Sequence, residues 1–346
     1  MCIWTAYAGP GNAGEITYRM LKRSYGVWGG YYTGIVSNNQ GHLCVGRTAG
    51  DFSAWDSRFS IADFPGNVAI FHARTPSADD STWSHPFGND KVQLSEQGCY
   101  GVFSNATQGY SEMAAELVAK GYTFLSATTR HPEEIMQVRL PDGRIVHSDE
   151  VLAFYADWLR KQGKTPFEAL RGSHGRCPAE AVVVCTFDDF PQSLFVANLN
   201  QHVVLAHEQG GLALSTTCIS FDDPSAGDII ELPCNTIAEI RCDGTLSMEP
   251  LAPWLTINRA VPKGFREHAI EWWKGRNATH ISVYWEEFLK VFWPQKSGDA
   301  PDTRAIVAYR VLDELLVAGK LTMEYESVKG FYAPEPCSRG LFTWQD

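Results

Sequence analysis

Two periods of apolar residues divide this chain. CIWTAYA (2–8) is a nearly continuous run of aromatic and β-branched residues, the pattern of a short buried strand. Over 14–25, Ile16, Met20, Leu21 and Tyr25 recur on one side, which predicts a helix. GIVSNNQGHLCVG reads as a hairpin turning at Asn39-Gln40-Gly41, and NVAIFHART as a strand ending in polar residues. GYSEMAAELVAKGY predicts a helix closed by Gly121. PDGR marks a tight turn, and SDEVLAFYADWLRKQG an amphipathic helix capped by Ser148 or Asp149. From 179 to 247 strand follows strand: EAVVVCTF, SLFVANL, HVVLAHE and TIAEIRCDG.

Strands, then helices, then strands again is the order of helices layered on antiparallel sheets, an α+β arrangement. The pattern breaks at PLAPWLTINRAVPKG, around 250–262, which reads as a linker. Beyond it come three helical stretches, FREHAIEWWKG, HISVYWEEFLKVFW and DTRAIVAYRVLDELLVAG, then a hairpin-like pair, KLTMEYES and KGFYAPE. The expectation is therefore a large domain over 1–250 and a small, winged-helix-like tail over 260–346. That tail carries 11 Lys and Arg against 12 Asp and Glu, without the basic balance of a DNA reader, so protein interaction or dimerisation is the expected role.

Composition narrows the class. The chain has 346 residues, 44% hydrophobic and 20% charged, enough to bury a substantial core. No apolar run approaches the roughly 18–20 residues of a membrane span, and no signal-peptide pattern opens the chain, so a cytoplasmic location is expected. A net charge of −11 argues against coating nucleic acid or anionic membrane. Nine cysteines include no C-x-x-C pair; RGSHGRCP offers His174 and Cys177 without further spaced ligands. GPG at 9–11 and GG at 29–30 lack the spacing of phosphate loops. No metal and no cofactor are expected.

The candidate chemistry sits at the start. Methionine before a small residue is commonly removed, which would make Cys2 the N-terminal residue. A terminal cysteine joins a nucleophile to a base: its α-amine, with a pKa of about 7.7–8.0, is substantially neutral near pH 7–8 and can take the thiol proton.

The segments behind Cys2 carry a family resemblance. FHARTPS places His72, Arg74, Pro76 and Ser77 in order, SHPF follows with His85, VFSNATQGYSEMAAEL holds Asn105-Ala106 before a helix, and HSDEVLAFY holds Asp149. In this order, behind a cysteine at position 2, the motifs resemble the glutaminase domain of class II glutamine amidotransferases, which are N-terminal-nucleophile hydrolases. The resemblance covers roughly residues 2–220 and is strongest at 71–87. It implies a four-layer αββα sandwich with Cys2 as nucleophile. It also implies that Arg74 and Ser77 grip a substrate carboxylate, that the Asn105 side chain and the Ala106 N–H hold the oxyanion, and that Asp149 binds the α-ammonium, with His85 beside the substrate.

The sequence departs from that family in places. The family's Asn-Gly is Asn105-Ala106 here, and a left-handed alanine would be strained. The segment before the second strand, RSYGVWGGYYTGI, keeps Arg23, Gly34 and Ile35 but no acidic residue, and an extra stretch over 127–147 is expected as loop and hairpin near the site. Aligning Glu150-Val151 puts Ser148 where the family has Asp. The expected reaction is hydrolysis of a side-chain amide, most directly that of glutamine, with the ammonia passed to a partner protein. Two alternatives stay open: an amidohydrolase acting on another γ-glutamyl or small amide, and a binding or regulatory protein on a degenerate site. Oligomerisation is compatible with either.

Overall fold

The structure is a computed structural model that describes residues 2–76, 80–99, 106–130, 138–294, 301–330 and 335–346. Its framework is two antiparallel sheets lying face to face. The first has seven strands: β1 (Ile3–Ala8), β2 (Tyr32–Asn39), β3 (His42–Ala49), β4 (Val68–Arg74), β11 (Val204–Glu208), β12 (Gly211–Ser215) and β13 (Ile230–Glu231), ordered β13-β11-β12-β1-β4-β2-β3. The second has six: β5 (Phe87–Gly88), β6 (Val92–Cys99), β9 (Glu180–Phe187), β10 (Ser193–Leu199), β14 (Asn235–Arg241) and β15 (Leu246–Pro250), ordered β15-β14-β10-β9-β6-β5. The period-2 alternation of each strand decides what fills the gap. Trp4, Ala6, Ala8, Val36, Val68 and Ile70 from one sheet meet Val182, Val184, Leu194, Val196, Ala238 and Ile240 from the other.

Helices cover both outer faces, which makes the four layers αββα. Helix α1 (Ala13–Ser24) lies on β1 and β4, its first turn capped by Asn12, whose side chain accepts the Gly14 N–H at 3.1 Å. The short α2 (Phe52–Asp56) is capped by Asp51. On the far side α3 (Ala106–Ala119), α4 (Ser148–Lys161) and α5 (Pro166–Arg176) bury Met113, Leu117, Val151 and Leu170 against Leu94, Val183 and Phe195. The extra stretch holds a small ladder, β7 (Val138–Arg139) with β8 (Ile145–Val146). Among the described residues no helix is long and apolar enough to cross a membrane.

The β2–β3 hairpin turns where expected, with Gln40 and Gly41 both at positive φ (53° and 93°), as a two-residue turn between twisted strands requires. Gly121, at φ 86°, closes α3. The cap of α4 is one residue earlier than expected: His147, not Ser148 or Asp149, accepts the Asp149 N–H at 3.2 Å through its ring. Helix α5 escapes a reading by hydrophobic period because its start is encoded in polar chemistry, a capping box of Thr165 and Glu168 with Pro166 at the first turn.

The tail contributes α6 (Phe265–Lys274), α7 (Ile281–Val283), a π-helical turn (Tyr284–Leu289), α8 (Lys290–Phe292) and α9 (Arg304–Val317), then β16 (Leu321–Lys329) paired with β17 (Pro336–Trp344). The second strand lies beyond the KGFYAPE expected for it. Pro336 can only open a strand, and the alternating stretch that follows supplies Cys337, Phe342 and Trp344 for pairing. The tail does not keep its apolar residues to itself. Phe265, Trp273, Tyr284, Leu312 and Phe342 share one buried cluster with Ile3, Leu21, Phe52, Trp55 and Phe71 of the sandwich.

Candidate active site

Cys2 lies just before β1, buried, with Sγ 4.0 Å from Thr75 Oγ1 just past the end of β4. The register between the strands pairs Ile3 with Ala73 and Trp4 with His72. Alternation therefore places His72 and Arg74 on the same side as Trp4, facing the gap between the sheets, with Cys2 beside Thr75, the residue that follows Arg74. Across β2 the partners of Arg74 and His72 are Tyr32 and Gly34.

Arg74 is held at this end of the gap by what surrounds it. Its guanidinium donates to the Trp83 carbonyl at 3.1 Å and lies against the Tyr32 and Trp83 rings, 5.8 and 6.0 Å from their centroids. Trp83 is itself fixed by its indole N–H, which donates to the Ser126 carbonyl at 2.8 Å. Its ring meets His147 edge-on at 5.3 Å, and Phe87 stacks on His147 from another side at 4.4 Å.

His147 leads to Asp149. Asp149 Oδ1 lies 3.1 Å from His147 Nδ1 and accepts the Ser148 hydroxyl at 2.9 Å; Asp149 Oδ2 is bonded to His85 Nε2. His85 in turn stacks face to face on His72, centroids 3.7 Å apart and planes 8° apart. The chain of contacts thus closes on β4, where it began with Arg74. It brings Cys2, Arg74, His85 and Asp149 into one neighbourhood although they are scattered in sequence.

The charge states follow from burial. Burial would raise the Asp149 carboxyl, but His147 and His85 hold it well below the usual carboxylate range. His85 is drawn down to about 4, burial outweighing the pull of Asp149, and burial also holds His72 well below an ordinary histidine, with His85 adding to it. The His85 Nε2 is the ring nitrogen that faces the Asp149 carboxylate. Among the described residues no group of three or more His, Cys, Asp and Glu side chains is arranged to hold a metal ion.

Several polar groups in this region have no hydrogen-bond partner among the described residues: both His72 ring nitrogens, the Ser95 hydroxyl, both ends of the Gln97 amide and the Trp4 indole N–H. Ser95 and Gln97 pair with Val184 and Val182, so they too face the gap between the sheets. An apolar gap thus turns polar at the end where Cys2 lies, and groups this buried are satisfied by water or a ligand.

The other expected residues are placed less completely. Ser77 and Asn105 lie outside the described residues. Ala106 is the first residue of α3 and is not among the residues with left-handed backbone, so the strain foreseen there does not arise. Its N–H belongs to the first helical turn, whose donors have no partner within the helix. His85 and Asp149, expected at the substrate, are bonded to each other. His147, Trp83 and Thr75 were missed. The signal for His147 was a histidine directly before an acidic helix start, a place where an imidazole can cap.

No protein-family model and no curated protein matches this sequence. Among solved structures the chain is similar to glutamine phosphoribosylpyrophosphate amidotransferase from B. subtilis, complexed with ADP and GMP, at a TM-score of 0.58 and 17% identity over 93% of this chain and 66% of that one. An allosteric regulatory enzyme of purine biosynthesis gives 0.58 and 16%, over 96% and 68%. A glutamine aminotransferase class-II domain protein from Silicibacter pomeroyi gives 0.45 and 14%, over 73% and 100%, too distant to argue from. The chain spans about two thirds of the length of the first two. At these identities the likeness speaks for the fold: this chain has the four-layer sandwich of the glutamine amidotransferase N-terminal-nucleophile hydrolases.

Proposed function

We propose that this protein is an amidohydrolase whose nucleophile is Cys2, made N-terminal by loss of Met1, and that it cleaves the side-chain amide of glutamine or of a related carboxylate-bearing γ-amide. The observation that carries the reading is the position of Cys2 beside Thr75, the residue that follows Arg74, at the end of the sandwich where buried polar groups gather. The Cys2 α-amine takes the thiol proton, and Sγ adds to the amide carbon. The Asn105 side-chain amide and the Ala106 N–H hold the resulting oxyanion. The C–N bond then breaks, and nitrogen leaves as ammonia carrying the proton from the amine. Water adds to the thioester, releasing the carboxylic acid and restoring the thiol. Arg74 and Ser77 hold the substrate's carboxylate throughout, and the ammonia goes to an acceptor on a partner protein.

Intact mass of the purified protein comes first: the proposal requires loss of Met1, since a blocked Cys2 has no amine to act as base. Ammonia release from a panel of primary amides should then fall at least 10³-fold in Cys2→Ala. Hydroxylamine should intercept the thioester as a hydroxamate in the wild type only. Retained Met1, or release indifferent to Cys2, would overturn the reading.

A further inference from the structure

The surroundings of the nucleophile point to a residue that motif order did not supply. Among the described residues the hydroxyl of Thr75 is the polar group that meets the Cys2 thiol, with Oγ1 4.0 Å from Sγ. That contact is long, in keeping with sulfur as a weak donor and a weak acceptor. Among the described residues the same hydroxyl bonds nothing else. Its position is fixed from both sides. Thr75 directly follows β4, whose last residues pair Ala73 with Ile3 on β1 and Arg74 with Tyr32 on β2, while the Tyr31 N–H donates to the Arg74 carbonyl at 3.1 Å. Pro76 comes next; it steers the residue before it into extended backbone and has no N–H of its own. A β-branched side chain on such a backbone has few rotamers, so the hydroxyl is held toward Cys2 without a loop having to order.

A hydroxyl is a much better donor to a sulfur that carries charge than to a neutral thiol. The contact therefore strengthens where negative charge gathers on Sγ, and an interaction stronger along the reaction path than in the resting state raises the rate. Charge gathers there twice: when the Cys2 amine takes the thiol proton, and when the C–S bond of the hydrated thioester breaks and its electron pair returns to sulfur. We infer that Thr75 is a further catalytic residue of this site, its hydroxyl donating to Sγ in both half-reactions. This rests on the reading of Cys2 as nucleophile. Thr75 keeps its own proton throughout. The thiol proton leaves with ammonia by way of the amine, and the proton that restores the thiol comes from the attacking water by the same route.

The test uses the full chain with loss of Met1 confirmed by mass. Cys2 alkylation by iodoacetamide, followed by peptide mass from about pH 5 to 9, reads the sulfur without any substrate. Thr75→Val keeps the shape and removes the hydroxyl. Its rate near pH 7 should fall about tenfold or more, the loss expected of one hydrogen bond to a charged group, and the acid limb of its profile should move to higher pH. Thr75→Ser should stay within about threefold of wild type, with its profile in place. With the best amide, Thr75→Val should lower kcat about tenfold and leave KM within about twofold, because the groups that hold the substrate are unchanged. Both variants are checked by circular dichroism. If Thr75→Val loses the fold, Thr75→Ala replaces it, and unfolding of both makes Thr75 structural and overturns the inference. So does a Thr75→Val protein alkylated at the wild-type rate and profile, a Thr75→Ser protein as slow as Thr75→Val, or a wild-type Cys2 that iodoacetamide does not reach. Absence of Cys2-dependent ammonia release from every amide overturns the hydrolase reading instead, and the alkylation rates still decide whether Thr75 donates to the sulfur.

Discussion

The position of His85 depends on a residue with no side chain. Gly34 sits on β2 opposite His72, and a Cβ there would come within 2.0 Å of the His85 carbonyl oxygen and 2.9 Å of the Gly46 carbonyl oxygen. Both obstacles are backbone, so no rotamer change relieves them. Gly34→Ala should therefore push the His85 segment off β2, loosen the His85–Asp149 pairing, and cost about 1–3 kcal/mol in urea unfolding, the range for overpacking a tight interior. Gly275→Ala is the control: its φ is −89° and nothing lies within 4 Å of its added Cβ, so its midpoint should stay within about 0.5 kcal/mol of wild type. At this scale the sequence was only partly legible. Cys2, Arg74, His85 and Asp149 could be picked out because motif order identifies candidates, and they do gather in one place. What each one touches could not be read. The partner of Asp149 is another candidate, and the cap of α4 is a histidine that local spacing alone does not distinguish from a loop residue.

Elements were legible where one local pattern dominates and obscure where a distant partner sets their place. The buried alternation of β1 and β4, the Gln40-Gly41 turn and the amphipathic α4 follow from neighbours in sequence. The docking of α9 does not. Asp313 on α9 reaches three groups of the sandwich: the His202 ring at 3.2 Å, the Cys218 N–H at 2.9 Å and the Thr217 hydroxyl. His202, just before β11, also lies 3.5 Å from Glu231 on β13, and Glu231 meets Arg310 of α9 at 3.0 Å. Burial works against the charge on His202, but these two carboxylates more than compensate and raise its pKa to about 9. The sign of the linkage is fixed by that direction. The charged clamp contributes fully below the ordinary histidine value of about 6.5 and is lost as pH rises from there through about 9. Urea unfolding across pH 6 to 10 should show this as an alkaline decline on the order of 3 kcal/mol from this residue. In His202→Gln the decline over that window should shrink. An identical slope in the variant would show that His202 is not the titrating group.

For the molecule as a whole, the question is whether the tail is an appendage or part of the sandwich. Its hairpin lies on the segment 25–31, the stretch where the chain departs from the family it resembles. Tyr25 stacks on Tyr325 at 4.4 Å. The Ser338 N–H donates to the Gly30 carbonyl at 3.0 Å, and the Tyr31 N–H to the Arg74 carbonyl at 3.1 Å, so the hairpin and the strand bearing Arg74 grip the same short segment. Glycines make the approach possible. A Cβ on Gly340 would lie 2.3 Å from the Gly26 carbonyl oxygen, and one on Gly30, already at φ 99°, 1.9 Å from the Ser338 carbonyl oxygen. The glycines and aromatics of YGVWGGYY thus have a structural use that motif comparison registers only as a departure. The shared cluster of Phe265, Trp273, Tyr284, Leu312 and Phe342 with Ile3, Phe52, Trp55 and Phe71 extends the same seam inward. A core shared across two segments unfolds with both of them. Calorimetry should accordingly give one cooperative transition for the whole chain, and Gly340→Val should lower its midpoint without splitting it. Truncation after residue 260 should leave an insoluble or unfolded sandwich, because it uncovers aromatic surface that β1, β4 and α2 bury against the tail. Two separate transitions, or a soluble 1–260 fragment with wild-type circular dichroism, would instead make the tail an independent domain. The segment from Gly26 to Tyr31 would then be held beside Arg74 without help from the hairpin.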